Sequence, residues 1–234
     1  MVRVHIVGEL VACIMMLNEI EKIKMRKLIS ALFSILTTNV YADGVSGEFD
    51  YYVMALSWSP NWCAIEGDAR QSPQCNPSED FGWTLHGLWP QYESGWPAYC
   101  KTTHRNPSRR QTNNMADIMG SSGLAWHQWN KHGVCTGLTP TDYFALSRHT
   151  FENLNIPQAF RGLKSSVTLP AKLVEEAFLE QNRGLDPNDI TVTCRSGFIQ
   201  EVRICLTRDM EYRRCGEDVI HDCSLEDAKF EPLR

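Results

Sequence analysis

Two short stretches hold side chains that can do acid–base chemistry together. Trp83 to Pro90 reads Trp-Thr-Leu-His-Gly-Leu-Trp-Pro, and about forty residues on His127 to Cys135 reads His-Gln-Trp-Asn-Lys-His-Gly-Val-Cys. Between them they carry His86, His127 and His132, three of the seven histidines of the chain, and Lys131. On a helical wheel with His127 at zero, Lys131 falls near ~40°, Gln128 near ~100° and His132 near ~140°, at about 100° per residue. Trp126, Trp129 and Asn130 fall on the far side, between roughly 200° and 300°. One face then holds two imidazoles, an ammonium and an amide, and both tryptophans turn toward a core. Gly133 is expected to stop this helix, and Cys135 to pin its end covalently.

Such a cluster suits phosphoryl transfer without a metal. Two histidines near their ordinary pKa serve as base and acid at mild pH, with His86 supplied from the first stretch. A lysine beside them stabilises the extra negative charge of a pentacoordinate phosphorane. RNA is the natural substrate, because its 2′-OH is a built-in nucleophile. A zinc-hydrolase reading fits less well: after His127 the helix has Gln128 where the general base would stand and Lys131 where the second metal ligand would stand. No CxxC pair is present among the scattered cysteines, which argues against a zinc site there too. No metal and no cofactor is expected.

Leu85-His86-Gly87-Leu88-Trp89-Pro90 and His127-x-Trp129-x-Lys131-His132-Gly133-x-Cys135 resemble the two active-site segments of the T2 family of ribonucleases, in the same order. The resemblance extends from about Trp58 to the last cysteines. It implies an endoribonuclease that cleaves single-stranded RNA through 2′,3′-cyclic phosphates, without a metal, usually secreted, periplasmic or vacuolar. It matches His86 and His132 to the acid–base pair, with His132 as base and His86 as acid. It matches His127 to a phosphate-binding histidine, Lys131 to the transition-state lysine and Trp89 to an aromatic that stacks on a base. Gln91 and Tyr92 come directly after this segment and are further candidates for substrate contact. Position 128 departs from the pattern, with Gln where many members have Glu. Gln keeps the hydrogen-bonding shape and loses the charge, so altered rate or pH dependence is expected, with activity retained. A non-catalytic RNA-binding or protein-interaction relative on the same scaffold would be expected to lack a histidine or the lysine, and here all of them remain.

The rest of the chain reads as the scaffold that positions these residues. Met25-Arg26-Lys27, the apolar run Leu28 to Leu36 and Val40-Tyr41-Ala42 have the order of a secretory signal peptide. Residues 1–42 are therefore expected to be a signal region, with translation starting at Met25 and cleavage after Ala42, and residues 43–234 to be the catalytic domain. An unusually long signal or an N-terminal helix is the alternative, split by the charges from Glu19 to Lys27. Of nine cysteines, Cys13 precedes the cleavage site and eight lie beyond it. An even number behind an export signal reads as disulfides in an oxidising compartment. The family resemblance implies the pairs Cys63–Cys75, Cys100–Cys135, Cys194–Cys223 and Cys205–Cys215. An exported monomer, periplasmic or extracellular, with single-stranded RNA as its partner and no membrane span after signal removal is the overall expectation.

The net charge of the chain is −5. The signal region is basic on balance, so the expected mature chain is more acidic still. A protein that holds a long duplex through many phosphates is usually basic; a nuclease that grips one or two nucleotides needs no such footprint. Lys101, His104, Arg105, Arg109 and Arg110 form one basic patch, read mainly as a solvated loop. Strands are expected at Asp50–Ser57, Gly82–His86, Ile190–Cys194 and Phe198–Leu206, the second turned by Gly87 and ended by Pro90. Helices are expected from Thr139 to about Asn153 and from Thr168 to about Asn182. Trp58, Trp83, Trp126 and Trp129 are expected inside. The fold class is α+β: a single disulfide-stabilised domain with a central antiparallel sheet and packed helices.

Overall fold

A computed structural model describes residues 43–234. The expected signal region, with its start at Met25 and cleavage after Ala42, lies outside the described residues. These form eight strands and six α-helices. The strands are β1 (Asp43–Val45), β2 (Tyr51–Trp58), β3 (Trp83–Gln91), β4 (Ala98–Lys101), β5 (Val167–Leu169), β6 (Ile190–Arg195), β7 (Phe198–Leu206) and β8 (Ala228–Phe230). The helices are α1 (Ser59–Trp62), α2 (Arg109–Asn113), α3 (Ala116–Met119), α4 (Ser122–Lys131), α5 (Pro140–Glu152) and α6 (Lys172–Gln181).

Local chemistry sets the ends of these elements. Ser121 caps α4, its hydroxyl accepting the Leu124 N–H at 3.1 Å. Thr139 caps α5 in the same way through the Asp142 N–H at 3.2 Å, with Pro140 in the first turn. Ser196 and Gly197, both at positive φ, make the two-residue turn between β6 and β7, the geometry that matches the twist of a hairpin.

The main sheet runs β3-β2-β7-β8-β5, with β6 also paired to β7. The β2–β3, β2–β7, β6–β7 and β5–β8 pairs are antiparallel. The β7–β8 contact is parallel, as is a small separate pair of β1 with β4, so the sheet is not wholly antiparallel. Thr168, expected to open a helix, lies in strand β5, and α6 begins only at Lys172.

On β2 the even positions Tyr52, Met54, Leu56 and Trp58 enter the main core with Trp129, Tyr143, Val174 and Phe178 from the helices. The odd positions Tyr51 and Val53 face the other way, into a smaller cluster with Cys205, Cys215 and Val219. Strand β3 keeps the same alternation except at one point. Leu56 pairs with Leu85 and Ala55 with Gly87, so His86 is an extra residue, a β-bulge. The extra residue changes the phase of the strand. Leu85 and Leu88 both reach the core, while Thr84, His86, Trp89 and Gln91 come to the opposite face. A second bulge inserts Gln200 in β7, since Thr193 pairs with Glu201 and Cys194 with Ile199.

The strand β3 does not end at His86. It runs on through Gln91, and Pro90 is tolerated because β3 is the edge of the sheet. Trp126 is 41% exposed, against the expectation that it is core, whereas Trp58, Trp83 and Trp129 are buried. The disulfides join Cys63 to Cys75, Cys100 to Cys135, Cys194 to Cys223 and Cys205 to Cys215. Cys135 lies in a short 3-10 turn directly after α4, so its bridge to β4 anchors the end of that helix.

Gly133 does not stop α4 through a left-handed backbone, since its φ is not positive. It is small because two buried rings press on it. A Cβ there would sit 2.5 Å from Cε3 of Trp129 and 3.0 Å from Cδ1 of Tyr143. Gly133→Ala is therefore expected to lower the unfolding free energy by about 1–3 kcal/mol, as overpacking of a rigid core does. Urea unfolding checks this; a midpoint equal to that of the wild-type chain would show that the rings yield.

Candidate active site

Helix α4 lies against edge strand β3, with Trp129 in the core and Gln128 and His132 packed at the rim of the sheet. His86, His127, Gln128, Lys131 and His132 line one cavity of about 300 Å³ together with Trp89 and Gln91. Tyr92 does not line it; its side chain packs against the main core. A second cavity of about 450 Å³ lies alongside, with Ser57, Trp62, Thr84, Leu124 and Arg195 among its walls. His86, His127, Gln200 and Glu201 line both cavities. Two of these four, His86 and Gln200, are the bulge residues of β3 and β7.

Trp89 sits between the two candidate acid–base histidines. Its ring stacks on His132 at 5.2 Å and 25°, and meets the edge of His86 at 5.2 Å. Its indole N–H donates to Oε1 of Gln128 at 2.7 Å. The Arg203 guanidinium lies 5.6 Å from the ring centroid. So Trp89 is already engaged by protein groups, and it braces the site more than it offers a free stacking face. The free aromatic at the rim of the same cavity is Trp96, 53% exposed. Gly87 is explained by the same brace. A Cβ on it would fall 2.2 Å from Oε1 of Gln128 and 2.3 Å from Nε1 of Trp89, so the hydrogen bond needs a glycine beneath it.

The two histidines have opposite surroundings. His132 is 4% exposed and its Nδ1 is buried without a partner. Burial, then the charges of Lys131, His86 and His127, hold its imidazole well below the usual histidine range, so it stays neutral. His127 is shifted the same way by burial, Lys131 and His86. His86 instead places Nδ1 2.5 Å from Oε1 of Glu201 on β7. Glu201 is 3% exposed, and its Oε2 accepts from Nε and Nη2 of Arg203 at 2.9 and 2.7 Å. Burial alone would raise this carboxyl, but the hydrogen bond and charge of His86, with Arg203, hold it down to about 2.

Glu201, Arg203 and Trp96 are functional candidates that the sequence reading passes over. For the first two a signal exists. They are charged residues at alternate positions in the strand Phe198–Leu206, which is apolar apart from them and Gln200, and a central strand seldom carries buried charge without a partner.

A disulfide-bonded α+β chain with a histidine cluster mounted on a bulged sheet face defines a recognisable class. The chain belongs to the Ribonuclease T2 family, whose model matches residues 49–215. It is 42% identical over 127 residues to a ribonuclease of Aeromonas hydrophila, covering 53% of this chain and 56% of that one. It is 34% identical over 120 residues to a probable ribonuclease of Haemophilus influenzae, covering 46% of this chain and 44% of that one. The chain thus spans about half the length of these curated relatives. An RNase-related protein from Calystegia sepium has the same fold, with a TM-score of 0.60, 20% identity and coverage of 79% of this chain and 97% of that one.

The lowered pKa of His132 has a consequence for stability. In the unfolded chain this histidine titrates near 6.5, above its folded value, so the unfolded state binds the extra proton first. Stability is then full above that pH and falls as pH drops below it. Glu201 has linkage of the same sign in a lower window, losing its contribution only as pH falls from the ordinary carboxylate range toward about 2. Denaturant unfolding at about pH 7.5 and about pH 5 is expected to show a loss of stability on acidification that is smaller in His132→Gln. An equal loss in both chains would assign it to other groups.

Proposed function

We propose that this chain is a metal-independent endoribonuclease that cleaves single-stranded RNA by transphosphorylation to a 2′,3′-cyclic phosphate. The observation that carries this reading is the contrast between the two histidines at one cavity, one neutral and buried, the other tied to a carboxylate. His132, neutral, takes the proton of the 2′-OH. As the P–O2′ bond forms and the P–O5′ bond breaks, His86 gives its proton to the departing 5′-oxygen. Lys131 and His127, which line the same cavity, are assigned to the phosphoryl oxygens as these gather charge. The Gln128 amide, its oxygen occupied by Trp89, retains its N–H groups as donors that need no proton of their own to be taken up. Water then opens the cyclic ester at the same pair, with the proton roles reversed.

The two cavities on either side of His86 and His127 support a strand bound across the cluster, with one nucleoside in each. Trp96 is the aromatic free to stack on a base there. The four disulfides support an oxidising compartment, so we assign the mature protein to the periplasm or the extracellular space. Membership of the family and the similarity to the Aeromonas and Haemophilus proteins support the same activity.

The test uses the disulfide-bonded chain from Asp43, a single-stranded RNA oligonucleotide and excess EDTA. Products ending in 2′,3′-cyclic phosphate, absent with His132→Ala, are the expected result. Intact RNA bound by the folded protein from acid to neutral pH would overturn it in favour of a binding protein. Trp96→Ala is expected to raise KM by roughly 5- to 100-fold with kcat little changed, the size of one lost base–aromatic stack; an unaltered KM would place the strand elsewhere.

A further inference from the structure

His86 is a bulge residue, so the hydrogen-bonded ladder does not fix its direction as it fixes its neighbours. Something else must hold its ring. In the sheet order β3-β2-β7, Ser57 pairs with Thr84 on one side and with Glu201 on the other, and Ala55 pairs with Gly87 and Arg203. These two rows share the cavity face. The outer strands stand about 9–10 Å apart across β2, and only the small side chains of Ala55 and Ser57 lie between. That leaves room for the imidazole of His86 and the carboxylate of Glu201 to meet over the middle strand.

We propose that Glu201, locked by Arg203, is the positioning residue of the reaction: it holds the proton of His86 on Nδ1, so that Nε2 is the atom that exchanges a proton with the substrate. The inference rests on the ribonuclease reading above for its catalytic part. Glu201 touches no substrate; it acts through His86. One carboxylate oxygen takes the imidazole and the other takes two donors of Arg203, so the carboxylate cannot rotate without losing both. With Nδ1–H always bonded to a carboxylate, Nε2 accepts when the ring is neutral and donates when it is charged. The other charged or titratable groups facing this ring are His127, Lys131 and His132 from the helix side, with Glu66, Arg70 and Arg195 across the larger cavity and Asp218 across the smaller.

The arrangement makes Glu201→Gln a sharp variant. The amide is nearly the same shape, so the packing is retained. Arg203 offers only donors, so the amide oxygen must turn to it, and the amide NH2 then faces Nδ1 of His86. A donor there forces Nδ1 to accept, moves the proton to Nε2 and disfavours the charged ring. The change has two readouts. Nitrogen-15 spectra of the imidazoles at high pH are expected to show His86 as Nδ1–H in the wild-type chain and as Nε2–H in Glu201→Gln. RNA cleavage by the variant is expected to fall by roughly 100-fold or more in kcat, with KM little changed and the basic limb of the pH–rate profile moved to lower pH. A wild-type His86 carrying its proton on Nε2 overturns the proposal whatever the variant does, as does a folded Glu201→Gln with unaltered tautomer and pH profile. If the wild-type chain cleaves no RNA, the ribonuclease reading fails, and the spectra still decide whether Glu201 sets the proton on His86.

Discussion

One extra residue in β3 governs the layout of the site. A regular strand from Trp83 to Gln91 would send Trp83, Leu85, Gly87, Trp89 and Gln91 to one face and Leu88 and Pro90 to the other. The bulge at His86 breaks that rule, so Leu88 stays in the core and Trp89 comes out beside His86. Trp89 in turn organises its neighbours: the stack on His132, the hydrogen bond to Gln128 and the guanidinium of Arg203 near its ring. Gly87 is then required beneath the Trp89–Gln128 bond, and Gly133 beneath the ring of Trp129 that seats the helix. Backbone irregularity and side-chain chemistry are here one feature.

The electrostatics are built on separation. Cationic or potentially cationic groups crowd one side: Lys131, His127 and His132. A single buried carboxylate answers them at His86, kept ionised by His86 itself and by Arg203. The two histidines thereby stand in different surroundings, one buried away from any partner at Nδ1 and one bonded to a carboxylate. Gln128 fits this scheme. A carboxylate in its place would put a second negative charge next to His132 and weaken the contrast, while the amide keeps Trp89 in place without charge.

Much of this is legible in sequence, and the failures share a cause. The spacing of His127, Lys131 and His132 marks one helix face, because a helix of that length repeats every 3.6 residues whatever surrounds it. The hairpin at Ser196-Gly197 and the capped start of α5 are visible because turn and cap chemistry is local. The hidden features depend on partners distant in the chain. Gly87 looks like a turn and Pro90 like a strand end, yet both belong to one continuous edge strand whose phase changes at His86. Trp126 falls about 60° from the buried Trp129 on the wheel, far enough to lie at the exposed side of α4. Tyr92, next to Gln91, returns to the core just after the strand ends. Glu201 lies 115 residues from His86 in sequence, and only the pairing of both strands with β2 brings them together.

The contrast between exterior and cavity also bears on traffic. The chain as a whole is acidic, at −5, while Lys131 and Arg203 place two fixed cations at the smaller cavity, beside Glu201 and Asp218. A polyanion far from the protein meets a weak repulsion, and only a segment that enters within about a Debye length, roughly 8–10 Å, feels the attraction. The net charge therefore supplies no long-range attraction, and added salt screens the repulsion before it screens the buried pair. Encounter with such a protein is governed by diffusion and by how readily a strand end or loop can thread the slot. For the RNA substrate proposed above, that favours unpaired, flexible chains over stiff duplexes without any contact that reads sequence.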